Sequence, residues 1–109
     1  MSVKEEVYRG TRKRFEVFIT DLSDTATGVD PDSCEVRFWK QGTSQGDSPR
    51  GPYTCSKVGE TGEWGADVFL SETMTLGDWV AEFTWKIGRK IDRAKNIYTV
   101  ADPVTPYQN

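Results

Sequence analysis

The sequence predicts an all-β protein, a single antiparallel β-sandwich of about seven strands, and three observations predict it. Several stretches alternate apolar and polar side chains with a period of two, as a half-buried strand requires. No stretch of ten or more residues places apolar side chains at i, i+3, i+4 and i+7, the spacing of an amphipathic helix. Clusters of Gly, Pro, Asp, Ser and Thr interrupt the alternation at intervals of about 8 to 12 residues. With 109 residues the chain is long enough for one core and short for two, so one domain over 1–109 is expected. Its ordered part is expected to run from about 7 to 101, between loose termini.

Arg12 to Thr20 puts Phe15, Val17 and Ile19 on one face and Glu16, Phe18 and Thr20 on the other, which predicts the first strand. Asp21 to Ser33 is rich in residues that bond their own backbone or set turn dihedrals, and predicts a loop. Cys34, Val36 and Phe38 then oppose Glu35, Arg37 and Trp39 in a second strand, and Gln41 to Gly51 predicts a second, very polar loop. Pro52 to Val58 reads as a short strand with its proline at the start, carrying Tyr53 and Cys55 on a common face. Gly59 to Glu63 turns the chain into Trp64 to Leu70, where Trp64, Ala66, Val68 and Leu70 share one phase; Ser71 to Gly77 breaks it again. Asp78 to Ile87 is the clearest strand, with Trp79, Ala81, Phe83, Trp85 and Ile87 against Val80, Glu82, Thr84 and Lys86. Gly88-Arg89-Lys90 can close a tight hairpin into Ile91 to Val100, where a slip in the alternation predicts a bulge near Ala94.

Charge and composition exclude several functions. A net charge of −3 argues against free binding to nucleic acid, whose affinity rests largely on cationic surface. Without histidine the chain cannot supply a Ser-His-Asp triad, a Cys-His pair or a His metal cluster. Phosphate-loop and dinucleotide-binding motifs are missing, as is Cys-x-x-Cys, so no enzyme and no cofactor is expected. No apolar run approaches the roughly 20 residues of a membrane span, and MSVKEEVYRG has no signal-peptide core. Cys34 and Cys55 are therefore expected as free thiols of a reducing compartment, unless the sheet brings them together.

Four features could carry a site. Asp21, Asp24, Asp30 and Asp32 fit no calcium-loop spacing and read as turn aspartates bonding backbone N–H groups, so no metal is expected. Arg12 and Arg14, in the basic cluster with Arg9 and Lys13, share the outward face with Glu16; they suit a solvated edge that resists stray strand pairing or grips an acidic protein neighbour. Trp64, Trp79 and Trp85 follow the core phase, whereas Trp39 is out of phase with Val36 and Phe38 and is expected at the surface. Phe18 and Phe69 point away from the inferred core, and outward aromatics pack either on a local loop or on another protein. Phe18, Trp39, Phe69, Arg12 and Arg14 are thus the candidate interface residues.

The motifs Tyr8-Arg9-Gly10, Val29-Asp30-Pro31, Gly62-Glu63-Trp64 and Leu76-Gly77-Asp78-Trp79, spread from Tyr8 to Val100, resemble the small immunoglobulin-like sandwich of bacteriophage virion proteins. They are turns and core aromatics, so the resemblance speaks to architecture more than to role. It implies a virion location, assembly in the host cytoplasm, and a structural subunit of head, neck or tail that joins or decorates through contacts with other virion proteins in a symmetric, multi-copy array. The alternative is an adhesion module for a host glycan or cell-surface protein, with Trp39 and the Gln41 to Gly51 loop as its site.

Overall fold

Alternating side chains become strands only where each apolar phase meets a facing layer, and the structure, a computed structural model, shows which layers those are. It describes residues 5–21, 24–42 and 50–102. Among the described residues no helix occurs, and the strands in chain order are β1 (Glu5–Tyr8), β2 (Arg12–Phe18), β3 (Thr20–Asp21), β4 (Asp24–Gly28), β5 (Ser33–Lys40), β6 (Arg50–Thr54), β7 (Ser56–Lys57), β8 (Glu63–Phe69), β9 (Gly77–Ile87) and β10 (Lys90–Ala101). A five-stranded sheet of order β1-β10-β9-β5-β6 packs against a three-stranded sheet of order β2-β8-β7, with β3 and β4 forming a small hairpin beside them.

The core lies between the two sheets. Phe15 of β2 enters edge-on between Phe38 of β5 and Tyr98 of β10, with ring centroids 4.8 and 4.9 Å away. Around this trio Ile19, Val36, Val68, Ala81 and Phe83 are almost wholly excluded from solvent, and Trp79 and Trp85 are buried as their phase predicts. One-sided coverage explains why the β9 pattern is the most legible: Trp79, Ala81, Phe83 and Trp85 are buried in the core, while Glu82, Thr84 and Lys86 keep contact with water.

Two of the places where the chain changes sheet are tight. At the first, Arg9 N–H donates to Ala101 O in the large sheet at 3.0 Å, and Gly10 N–H to Leu70 O beyond the small one at 2.5 Å. At the second, Cys55 separates β6 of the large sheet from β7 of the small one. A tight turn at Gly88-Arg89 joins β9 to β10, with the positive φ of Gly88 (61°) at the first central position as such hairpins require.

Several expectations are corrected. The sandwich is not wholly antiparallel, because β1 pairs parallel to β10, Glu5 opposite Tyr98 and Tyr8 opposite Ala101. Glu5 and Glu6 are accordingly strand residues and not part of a loose terminus; with Val7 as its one buried side chain, β1 has no alternation to read. The loop from Asp21 to Ser33 contains β4 and part of the β3-β4 hairpin. Pro52 to Val58 is two strands in different sheets, and Pro52 sits inside edge strand β6, following a cis Gly51-Pro52 bond, where a missing N–H leaves no inner ladder broken. No bulge occurs at Ala94, since β10 pairs with β9 without interruption from Lys90 to Val100. The apparent slip arises because the small sheet does not cover all of β10, so inward-phase Asp92 and Asn96 keep contact with water. Irregularity falls instead in β6, opposite Val36 to Phe38, and in β3.

Candidate interaction surface

In β2 the even-numbered residues face out, and the antiparallel register with β8 sets Arg12 opposite Phe69, Arg14 opposite Asp67 and Phe18 opposite Glu63. Four of the five candidate residues therefore share one face of the small sheet. Phe18 and Phe69 are 51% and 54% exposed, against 2% for Phe15 on the other face of the same strand. They stand at opposite ends of the β2-β8 ladder, roughly 20 Å apart at about 3.3 Å per residue. The face is thus two apolar points flanking a charged strip, in which Arg14 Nε meets Asp67 Oδ1 at 3.2 Å. That pair is half-exposed on both sides and contributes about 0–1 kcal/mol, so its arginine can exchange partners at little cost. Edge strand β2 carries Arg12 and Arg14 on this face, while Lys13 pairs with Glu5 of β1 in the other sheet.

The two phenylalanines differ in what they touch. One edge of the Phe18 ring lies against the backbone of Gly28 and Gly62, so part of that ring is spent on local packing. Phe69 is the more exposed of the two. Trp39 belongs elsewhere, on the outer face of the large sheet, in a cross-strand row with Val80 and Ile97. It is half-buried, with Lys95 Nζ 5.8 Å from its ring centroid, and Val80 beside it is buried although outward-facing.

Two of the turn motifs, Val29-Asp30-Pro31 and Gly62-Glu63-Trp64, prove to be connected. Asp30 Oδ1 accepts from Gly62 N–H at 2.9 Å and from Trp64 Nε1–H at 3.0 Å, while its Oδ2 accepts from Lys57 Nζ at 2.9 Å. These donors, the indole first, hold the Asp30 carboxyl down at about 2, well below the ordinary 3.8. Asp32 Oδ2 accepts from Gly88 N–H at 2.8 Å and anchors the β9-β10 turn. Asp30 and Asp32 thus bond backbone as turn aspartates do, and the side chains of Asp21 and Asp24 lie outside the described residues. Trp64 corrects an expectation: its phase is right, but it stands at the start of β8, half-exposed, with its N–H committed to Asp30. At the far end of the fold, Arg9 binds Asp102 Oδ1 through Nε at 2.7 Å and Met74 O at 3.0 Å, and Trp79 Nε1–H donates to Thr75 O at 2.7 Å.

A cavity of about 440 Å³ is walled by Trp64, Trp85, Ile91, Asp32, Cys34 and Cys55 among others. Both cysteines are free and buried. Trp85 Nε1 is a buried side-chain donor without a hydrogen-bond partner among the described residues, an arrangement that costs about 1–3 kcal/mol. Among the described residues no three His, Cys, Asp or Glu side chains cluster to hold a metal ion, and no helix is long and apolar enough to cross a membrane.

The sequence reasoning missed Ile91, at 57% the most exposed large apolar side chain among the described residues, and the role of Asp30. Asp30 carried a signal in its Val-Asp-Pro turn, but the donors lie more than twenty residues away and only the fold joins them. Exposed Ile91 stands opposite Lys86 in the β9-β10 register, a pairing that alternation alone does not reveal. No protein-family model matches the chain, and no curated protein sequence matches it.

Proposed function

We propose that this chain is a non-enzymatic structural subunit of a bacteriophage particle, an immunoglobulin-like sandwich that joins or decorates head, neck or tail through protein contacts. The observation that carries the reading is the outer face of the small sheet, where a stiff two-sheet scaffold holds exposed Phe69 and Phe18 on either side of Arg12, Arg14 and Asp67. Aromatic and arginine side chains are the residue types that most often dominate protein-protein binding energy. The turn motifs behind the resemblance support the architecture: Asp30 ties Val29-Asp30-Pro31 to Gly62-Glu63-Trp64, and Tyr8-Arg9-Gly10 forms a crossing between sheets. In a symmetric particle, repetition converts one weak contact of this kind into firm attachment.

Mass spectrometry of purified particles tests the reading, with the chain expected in fixed stoichiometry to the other virion proteins. Particles lacking it would overturn the proposal. The adhesion alternative rests on Trp39, and it is the weaker reading because Lys95 lies over that ring and leaves less open indole for a sugar to stack on. Glycan binding abolished by Trp39→Ala would reverse that preference.

A further inference from the structure

The two cysteines carry an inference that is independent of the particle reading. In the β5-β6 ladder Glu35 faces Thr54 and Val36 faces Tyr53, which places Cys34 opposite Cys55. Cys55 N–H donates to Cys34 O at 2.9 Å. Register partners sharing such a bond have Cα atoms about 5.5 Å apart, inside the roughly 4.4–6.8 Å range a disulfide spans. Both residues are at most 4% exposed, yet both line the cavity of about 440 Å³, whose volume admits small polar molecules.

We infer that Cys34 and Cys55 are a redox pair that closes to an intramolecular disulfide on meeting a small two-electron oxidant of the hydroperoxide class. Cys34 is the attacking sulfur: the Cys55 S–H hydrogen bond stabilises its thiolate and lowers its pKa, while the same bond and burial push Cys55 up. The Cys34 thiolate attacks one peroxide oxygen, the O–O bond breaks, and the departing hydroxide takes a proton to become water, leaving Cys34 as a sulfenic acid. The Cys55 sulfur then attacks the Cys34 sulfur, the S–O bond breaks, and the leaving oxygen carries off the Cys55 proton as a second water. Each sulfur has lost one electron and the peroxide has gained two. The product ties edge strand β6 to β5 at the point where the chain leaves for the small sheet, so the bond fastens both an edge and a crossing.

Two buried thiols that merely fill space would behave differently, and the full-length chain separates the cases. It is incubated folded with hydrogen peroxide at about pH 8, then unfolded and alkylated with iodoacetamide without reductant. Both cysteines should lose alkylation together, a peptide linking Cys34 to Cys55 should appear, and dithiothreitol should restore both. Tryptophan emission should fall on oxidation and recover on reduction, because Cys34 lies opposite Trp85 and a disulfide quenches a neighbouring indole. The melting temperature should rise by on the order of 10 °C in the oxidised form. A Cys55→Ser chain should stop at a sulfenic acid on Cys34 that dimedone traps. Full alkylation after peroxide treatment, oxidation of one cysteine to sulfinic acid without a cross-link, or linkage only between copies would each overturn the inference. The wild-type measurements decide the matter even if the serine variant fails to fold.

Discussion

Replacing Phe15 by alanine puts the two-layer packing to its most direct test, because Phe15 is the side chain through which the small sheet enters the large one. At 2% exposure it buries nearly its whole ring, roughly 150–200 Å², which at about 25 cal/mol per Å² amounts to about 4 kcal/mol. That figure sits within the range of about 3–5 kcal/mol for deleting a buried phenylalanine, and the edge-on contacts to Phe38 and Tyr98 are lost with it. A domain of this size is stable by only about 5–15 kcal/mol, so Phe15→Ala should remove a large share of the total. Urea unfolding followed by tryptophan fluorescence should show the midpoint falling by about 2–3 M, with little change in slope. Phe69→Ala is the matched control from the outer face, and its half-exposed ring predicts about half that loss, about 2 kcal/mol. Equal losses for the two variants would refute the assignment of inner and outer faces, and with it the surface from which function was argued.

If the proposed function holds, the same Phe69→Ala chain should assemble more weakly with the virion proteins while keeping its β-rich circular dichroism, and unchanged assembly by light scattering would remove Phe69 from the interface. Phe18→Ala should weaken assembly too, with an added stability loss because its ring edge covers Gly28 and Gly62. The Asp30 carboxyl is held at about 2 in the folded chain, below its ordinary 3.8, so its contribution is fully present above about pH 4 and is lost as pH falls through 2. Urea midpoints measured against pH should therefore show wild type and Asp30→Asn converging at the acid end; a constant gap would contradict the three-donor arrangement. Gly62→Ala should destabilise by about 2 kcal/mol or more in thermal melts, since φ is +92° there and a Cβ would lie 2.7 Å from Ile19 O.

Period-two alternation was legible wherever a strand is buried on one side, so Phe15, Ile19, Val36, Phe38, Ala81, Phe83 and Trp85 all lie inward as their spacing predicts. The outward positions of Phe18 and Phe69 followed from the same arithmetic. Their places at opposite ends of one ladder did not, because strand direction and register are set by pairing across the chain. Pairing also explains the other omissions. Parallel β1 has too few apolar side chains to betray itself, Cys34 meets Cys55 only through the β5-β6 register, and Trp64 trades burial for a bond to a distant aspartate. Local pattern tells which side of a strand is dry, and non-local contacts decide what each wet side chain meets.

The parallel pairing of β1 with β10 has a kinetic consequence. β1 is the first of the described strands to be synthesised, yet its hydrogen-bonding neighbour is the last, so Val7 has no partner strand until nearly the whole described chain is available. Folding that begins elsewhere leaves the Tyr98 to Ala101 edge of β10 open until β1 arrives. A short peptide copying Glu5 to Tyr8 and its flanks, supplied during refolding, would compete for that same slot.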